Sequence, residues 1–197
     1  MAPLTNSFSS LLNSTYSSLD VAQQMHKHYV SGGNVIYLPD FLAEQEYGRL
    51  LSLLHRAEGV RGRVADRFSC TSLDVPQIRE LFTSQEFIAL IRAVIRKKVQ
   101  SCTIGIKRYG HRDYHLIHDS ETIGARLEFQ FLLMERWHTS WGGHTVYTAM
   151  QREPLLMPLR GNGFLLIQKP RAMHSFVQYI NHLAEKEMMT VVEGVFA

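Results

Sequence analysis

The order of elements along the chain predicts an α+β domain: helices fill the first half, and short strands fill the second. Three observations carry this. Before residue 100, leucines and isoleucines recur at three- and four-residue spacing on otherwise polar stretches. After it, runs rich in β-branched and aromatic residues are bounded by Gly, Pro or Asn. The length, 197 residues of which 45% are hydrophobic, suits one domain around one core. Strands arranged in this way close into a sandwich or a small barrel.

Residues 1–19, rich in Ser, Thr and Asn, read as a flexible arm, with the folded domain over 20–197. Asp20 caps a short helix over 21–29 that stops at Ser31-Gly32-Gly33. A strand over 35–38 ends at Pro39-Asp40, and leucines at 50, 51, 53 and 54 place a one-sided helix over 43–57. The charged, Gly-bearing stretch 59–68 is a hairpin arm or a loop. Thr83 and Glu86 have capping-box spacing and open a helix to about residue 99, with Phe87, Leu90, Ile91, Val94 and Ile95 as its buried stripe. Strands follow over 103–109, 127–134, 144–149, 164–168 and 189–196. Gly161-Asn162-Gly163 reads as a hairpin turn.

Bulk properties remove several function classes. The net charge of +3 is small and scattered, unlike the concentrated basic face of a nucleic-acid binder. The densest basic run, 92–98, closes a helix, where cations stabilise the dipole. Two cysteines, Cys70 and Cys102, with no CxxC pair, argue against a disulfide framework or a cysteine zinc site and fit a reducing cytoplasm. No apolar run approaches the ~20 residues of a membrane helix, and residues 1–18 lack the pattern of a secretion signal. The chain has no GxSxG elbow, P-loop, GxGxxG fingerprint or HExxH helix.

Chemistry concentrates in Tyr114-His115-Leu116-Ile117-His118-Asp119-Ser120-Glu121, two imidazoles and two carboxylates within eight residues. A distant histidine, His174, stands between apolar neighbours near the last strand. One His with a nearby carboxylate and a distal His is the ligand pattern of a non-heme iron site on a barrel. With ten histidines in the chain, most are expected to be structural or solvated, and His118 and His174 stand out by lying where strands meet loops.

The order of several weak motifs resembles the prolyl-4-hydroxylase-like branch of the 2-oxoglutarate/Fe(II)-dependent oxygenases. These are Val35-Ile36-Tyr37-Leu38-Pro39-Asp40-Phe41-Leu42, Arg108-Tyr109-Gly110, Asp113-Tyr114, His118-Asp119-Ser120, Gly124-Ala125-Arg126, Trp137 to Gly143, Asn162-Gly163-Phe164, Ala172-Met173-His174 and Glu193-Gly194-Val195-Phe196. The resemblance spans roughly residues 34–197. It implies a double-stranded β-helix core of the jelly-roll or cupin-like kind with N-terminal supporting helices, and Fe(II) with 2-oxoglutarate as cofactors. Carried over by position, His118 and His174 are iron ligands, and Tyr109 or Tyr114 lies near the co-substrate as a catalytic residue.

The chain departs from that pattern at two places. Ser120 stands where the iron carboxylate belongs, leaving Asp119 or Glu121 to supply one. Met189 stands where a basic residue clamps 2-oxoglutarate, leaving Arg126, Lys186 or Lys169 to replace it; the planar fork of Arg126 suits a carboxylate best. Four readings follow: an oxygenase with a nonstandard iron site, a halogenase-like enzyme, an iron oxidase without 2-oxoglutarate, and a noncatalytic binding module. The partner is a small molecule or a peptide, and residues 61–67 and 138–141 are the expected substrate-facing loops.

Overall fold

A strand that is buried on both faces organises the sheet. In β6 (Arg126–Leu133) every residue after the first is buried. Side chains alternate along a strand, so this pattern needs cover on both sides. The computed structural model, which describes residues 8–17, 19–117, 125–150 and 153–197, supplies it. Helices α1 (Phe8–Leu11), α2 (Leu19–Ser31), α3 (Glu44–Arg56), α4 (Pro76–Thr83) and α5 (Gln85–Ile95) lie on one side. A second sheet layer covers the other.

The remaining strands are β1 (Val35–Leu38), β2 (Gly59–Val64), β3 (Phe68–Leu73), β4 (Cys102–Tyr109), β5 (Tyr114–His115), β7 (Thr145–Thr148), β8 (Leu155–Leu156), β9 (Phe164–Lys169), β10 (His174–Val177) and β11 (Met189–Phe196). They pair antiparallel in the order β1-β9-β6-β11-β4-β3-β5-β10-β7-β8, with β2 on the outside of β3. The sheet curls on itself, so that Val177 of β10 and Tyr147 of β7 pack into the same apolar cluster as Leu165 of β9 and Val191 of β11. This is the double-stranded β-helix with supporting helices that the resemblance implied.

Between helices and sheet lies an aromatic core. Phe41, Phe82, Phe87, Phe129, Phe131 and Phe164 are fully buried or nearly so. Phe41 stacks on Phe164 with centroids 4.4 Å apart, and Phe129 stacks on Phe82 and Phe164 at 5.3 and 5.4 Å. Burying each ring contributes on the order of 1.5–3 kcal/mol, and offset or edge contacts add roughly 0.5–1.5 kcal/mol. Asn162, in the left-handed region at φ 62°, fastens the loop after β1 to this core. Its side chain accepts from Leu42 N at 2.9 Å and donates to Leu42 O at 2.8 Å, while its carbonyl accepts from Phe41 N.

Two local expectations change, and one that was left open resolves. The segment expected as a flexible arm is docked from residue 8 onward, because Phe8 and Leu12 are apolar enough to enter the core and Asn13 N donates to Phe41 O. The helix expected over 83–99 is shorter, running only over α5, and the separate helix α4 precedes it. Pro76 opens α4, Ser84 (not Thr83) caps α5 by accepting from Phe87 N, and Arg96 in the left-handed region ends it. The stretch 59–68 is the β2–β3 hairpin and not a loop. Among the described residues no helix is long and apolar enough to cross a membrane.

Two glycine substitutions separate packing from backbone entropy. A Cβ at Gly194 would overlap the Phe129 ring, whereas at Gly48, within α3, it meets nothing within 4 Å. Urea unfolding is expected to show Gly194→Ala destabilised by about 1–3 kcal/mol and Gly48→Ala stabilised by about 0.5–1 kcal/mol.

Candidate functional site

The inner face of the barrel is built from alternate residues of facing strands. On β6 these are Arg126, Glu128, Gln130 and Leu132; cross-strand register sets Gln130 opposite Glu193 of β11 and Arg126 opposite Lys169 of β9. On β4, Gly105 stands opposite Glu193, and Lys107 lies two residues further along the same face. Tyr147 and Ser175, themselves opposite one another on β7 and β10, face them from the second layer. His115 of β5 and Thr145 complete the wall. These residues, Leu132 and Lys169 apart, line a cavity of about 360 Å³.

This half of the barrel is charged. Lys107 Nζ lies 2.5 Å from Glu193 Oε1, and Arg126 Nε donates to Glu128 Oε2 at 2.8 Å. Lys169 Nζ donates to Ser175 Oγ at 3.1 Å and stands 3.8 Å from Glu128 Oε1. Burial lifts the Glu128 carboxyl above the usual carboxylate range, against the opposing pull of Lys169 and Arg126. Two side-chain atoms in the wall, Gln130 Oε1 and Tyr147 OH, are buried without a hydrogen-bond partner among the described residues. Burial also raises the Tyr147 phenol well above its ordinary value, and Glu128 and Glu193 push it the same way.

The other half of the barrel is dry. Tyr109 and Met189, opposite one another on β4 and β11, pack with Leu132, Leu165, Met157 and Ile180. Met189 is fully buried, and the Tyr109 phenol is raised far above its usual range by burial. At the boundary Asp113 ties three segments together. It accepts from both terminal nitrogens of Arg61, from Ser69 Oγ at 2.8 Å and from Gly110 N at 2.9 Å, while its carbonyl accepts from Ile180 N. Its burial makes this clamp, between the β2–β3 hairpin and the β4–β5 turn, a fixed edge of the site.

The sequence-derived candidates fall in different places. His118, Asp119, Ser120 and Glu121 lie outside the described residues. His174 begins β10 opposite Thr148 and is exposed; the next residues of β10, Ser175 and Phe176, both line the cavity. Tyr109 belongs to the dry half, and Tyr114 OH donates to Ala65 O at 2.6 Å in the hairpin. Arg126 lines the cavity. Lys186 does not: it is exposed on a separate groove with Leu51, His55 and Arg108, because the turn before β11 carries it outside the barrel. Of the two expected substrate loops, 61–64 is part of strand β2, and 139–141 forms a single helical turn.

Lys107, Glu128, Gln130, Tyr147 and Glu193 were not singled out from the sequence. A signal for two of them was present. Glu128 and Gln130 interrupt an otherwise apolar strand, Leu-Glu-Phe-Gln-Phe-Leu-Leu, at every second residue, which marks a polar stripe inside a buried strand.

Comparison with known proteins agrees with this architecture. No family model matches the chain. One curated protein, prolyl 3-hydroxylase OGFOD1 of Xenopus laevis, is 27% identical over 94 residues, which is 45% of this chain and 18% of that protein. Solved structures with the same fold include an oxidoreductase of the 2OG-Fe(II) oxygenase family from Burkholderia pseudomallei (TM-score 0.65, 13% identity, 89% of this chain and 90% of that one). A prolyl hydroxylase from Trichoplax adhaerens, solved with a peptide fragment of hypoxia inducible factor, gives 0.66 at 13% identity over 90% and 89%. A Pseudomonas putida prolyl-4-hydroxylase gives 0.65 at 9% identity over 89% and 97%. The likeness establishes the fold.

Among the described residues no three His, Cys, Asp or Glu side chains lie close enough to hold a metal ion. The position that resembles the 2-oxoglutarate clamp is Met189, sealed among apolar side chains with Tyr109 across the strand pair. A thioether offers a dicarboxylate no charge-assisted bond, so the dry half does not fit that co-substrate.

Burial of ionisable groups here has a pH consequence. The Cys102 thiol is pushed up from 9.0 to about 12, and burial raises Cys70, Tyr109 and Tyr147 as well. Above the ordinary thiol value the unfolded chain releases protons that the native state retains, so stability falls as pH rises from about 9 toward 12. Urea midpoints at pH 8, 9 and 10 are expected to decline in that order. A thiol reagent at pH 8 is expected to modify neither cysteine until the protein unfolds.

Proposed function

Starting from a barrel of the 2-oxoglutarate/Fe(II) oxygenase fold, we propose that this chain acts by binding a small polar molecule in the charged half of its interior, without the standard three-ligand iron cycle. The observation that carries this is the pair of orphaned buried atoms, Gln130 Oε1 and Tyr147 OH, in one cavity. Leaving a buried polar group unpaired costs about 1–3 kcal/mol. A fold that accepts two such groups in the wall of a cavity is prepared for a partner that satisfies both. The volume, about 360 Å³, is at the small end of ligand pockets. Ser120 and Met189 stand where the resemblance expects an iron carboxylate and a basic 2-oxoglutarate clamp, which supports a reading outside the standard cycle.

The test uses the stability–affinity trade that an orphaned hydroxyl implies. Tyr147→Phe is expected to raise the unliganded protein's stability by about 1 kcal/mol, since it deletes an unsatisfied group at nearly constant volume. It is also expected to abolish the thermal shift that small amino, hydroxy and carboxylic acids give the parent protein. No shift from any member of such a panel, or shifts unchanged in Tyr147→Phe and Gln130→Leu, overturns the reading.

A second reading has an observation of its own. The stretch similar to prolyl 3-hydroxylase OGFOD1 favours iron-dependent oxygenation, with His118, His174 and either Asp119 or Glu121 as ligands, Tyr109 and Tyr114 beside the reaction, and Arg126 or Lys186 as the 2-oxoglutarate partner. It requires that the purified protein retain Fe(II) and that a His118→Ala, His174→Ala double variant lose it. Succinate formed from 2-oxoglutarate only by the parent protein would favour this reading; equal iron content in both proteins removes it.

A further inference from the structure

Strand β2 carries the one long sheet edge that no other element covers among the described residues. β1, at one end of the strand order, packs against α2, and β8, at the other end, has two residues. β2 has six, pairs only with β3, and is exposed along its length apart from Gly62. Half of the N–H and C=O groups of such a strand point away from its single neighbour. Edges are ordinarily blunted by a bulge, a proline or shortness. β2 has none of these, since its register with β3 runs unbroken from Gly59 opposite Leu73 to Val64 opposite Phe68.

The two faces of this edge differ. Val60 and Val64 stand on one, 77% and 40% exposed. Between them, Gly62 leaves room for the Phe68 ring, which a Cβ there would approach to 2.9 Å, so the ring joins the two valines into one apolar strip. Arg61 and Arg63 stand on the other face. Arg61 is committed to Asp113, whereas Arg63 has no acidic partner among the described residues. The edge is also held in place: Tyr114 OH donates to Ala65 O, and Leu116 N donates to Arg67 O. An added strand therefore meets a preformed template, which lowers the entropy lost on docking.

We infer that β2 is a docking edge for an extended acidic segment of another protein, which adds to the sheet as a further strand. Its side chains alternate, with acidic residues beside Arg63 and apolar ones beside Val60 and Val64. A second copy of this chain fits poorly. In antiparallel registers centred on Arg61, Gly62 or Arg63, arginine stands opposite arginine, and like charges directly opposite destabilise a strand pair. Registers offset by one residue set a valine opposite an arginine. A neutral or basic segment leaves Arg63 without a partner.

The probe is the peptide Glu-Val-Glu-Val-Glu-Val, blocked at both ends, added to the full chain and followed by fluorescence anisotropy and by hydrogen exchange at residues 59–64. Protection of these amides is expected. A peptide of the same residues in block order is expected to bind at least tenfold more weakly, as is the alternating peptide to Arg63→Glu. The Arg63→Glu variant is expected to prefer Lys-Val-Lys-Val-Lys-Val. Arg63→Glu and Val60→Lys both change exposed side chains, so an unchanged melting temperature separates lost docking from a lost fold. No protection at 59–64 by the alternating peptide overturns the inference, as does binding that neither variant weakens. Protection of the same amides on raising the protein concentration alone assigns the edge to a second copy and overturns it as well. None of these outcomes bears on the occupant of the cavity.

Discussion

The double burial of β6 is the constraint on which the rest of the fold depends. A strand with period two cannot send its outward residues into an aromatic core and leave its inward ones in water unless the sheet stays open. Here Leu127, Phe129, Phe131 and Leu133 face the helices, while Glu128 and Gln130 face the second layer of strands, and all are buried. The sheet must therefore curl, and β10 and β7 must lie across it. The cavity follows from the same alternation, because polar residues at two successive inward positions prevent the two layers from packing to contact.

The barrel interior divides along its axis into a dry end and a charged end, and the division is made by single residues. On β11, Met189 and Val191 belong to the first and Glu193 to the second; on β4, Tyr109 and Lys107 divide in the same way. Methionine, leucine and isoleucine side chains fill the dry end, and the ion pairs of Lys107 with Glu193 and Arg126 with Glu128 lie at the charged end.

Much of the architecture was legible because periodicity and punctuation are local properties. The five long strands expected from the sequence all appear, and the barrel followed from the motif order. The shorter elements were not legible. β5, β8 and β10 have two to four residues, too few for a periodic signal, and they exist through pairing with partners distant in sequence. The site suffered from the same limit. The facing of His174 on β10 is set by register, which its apolar neighbours in the sequence do not encode. Arg126 was singled out for the planar fork of its guanidinium beside a strand. Lys107 and Glu193 became a pair only through an antiparallel register that no local pattern reveals.

The bond network around Asn162 bears on the order in which the chain can acquire its shape. Residues 41 and 42 take their backbone partners from Asn162, and β1 takes its strand partner from β9, so the first elements of the domain are completed by segments more than one hundred residues later. The helices likewise rest on phenylalanines of β6 and β9. Such distant closure gives a high contact order and slow folding, with the helical half exposing its apolar stripe until the second half arrives. During synthesis on the ribosome, the first hundred residues can set Phe41 against Phe8 and Phe82 against Phe87, but they lack the Phe129, Phe131 and Phe164 rings that complete the core. They must wait, partly collapsed, for strands that have not yet been made.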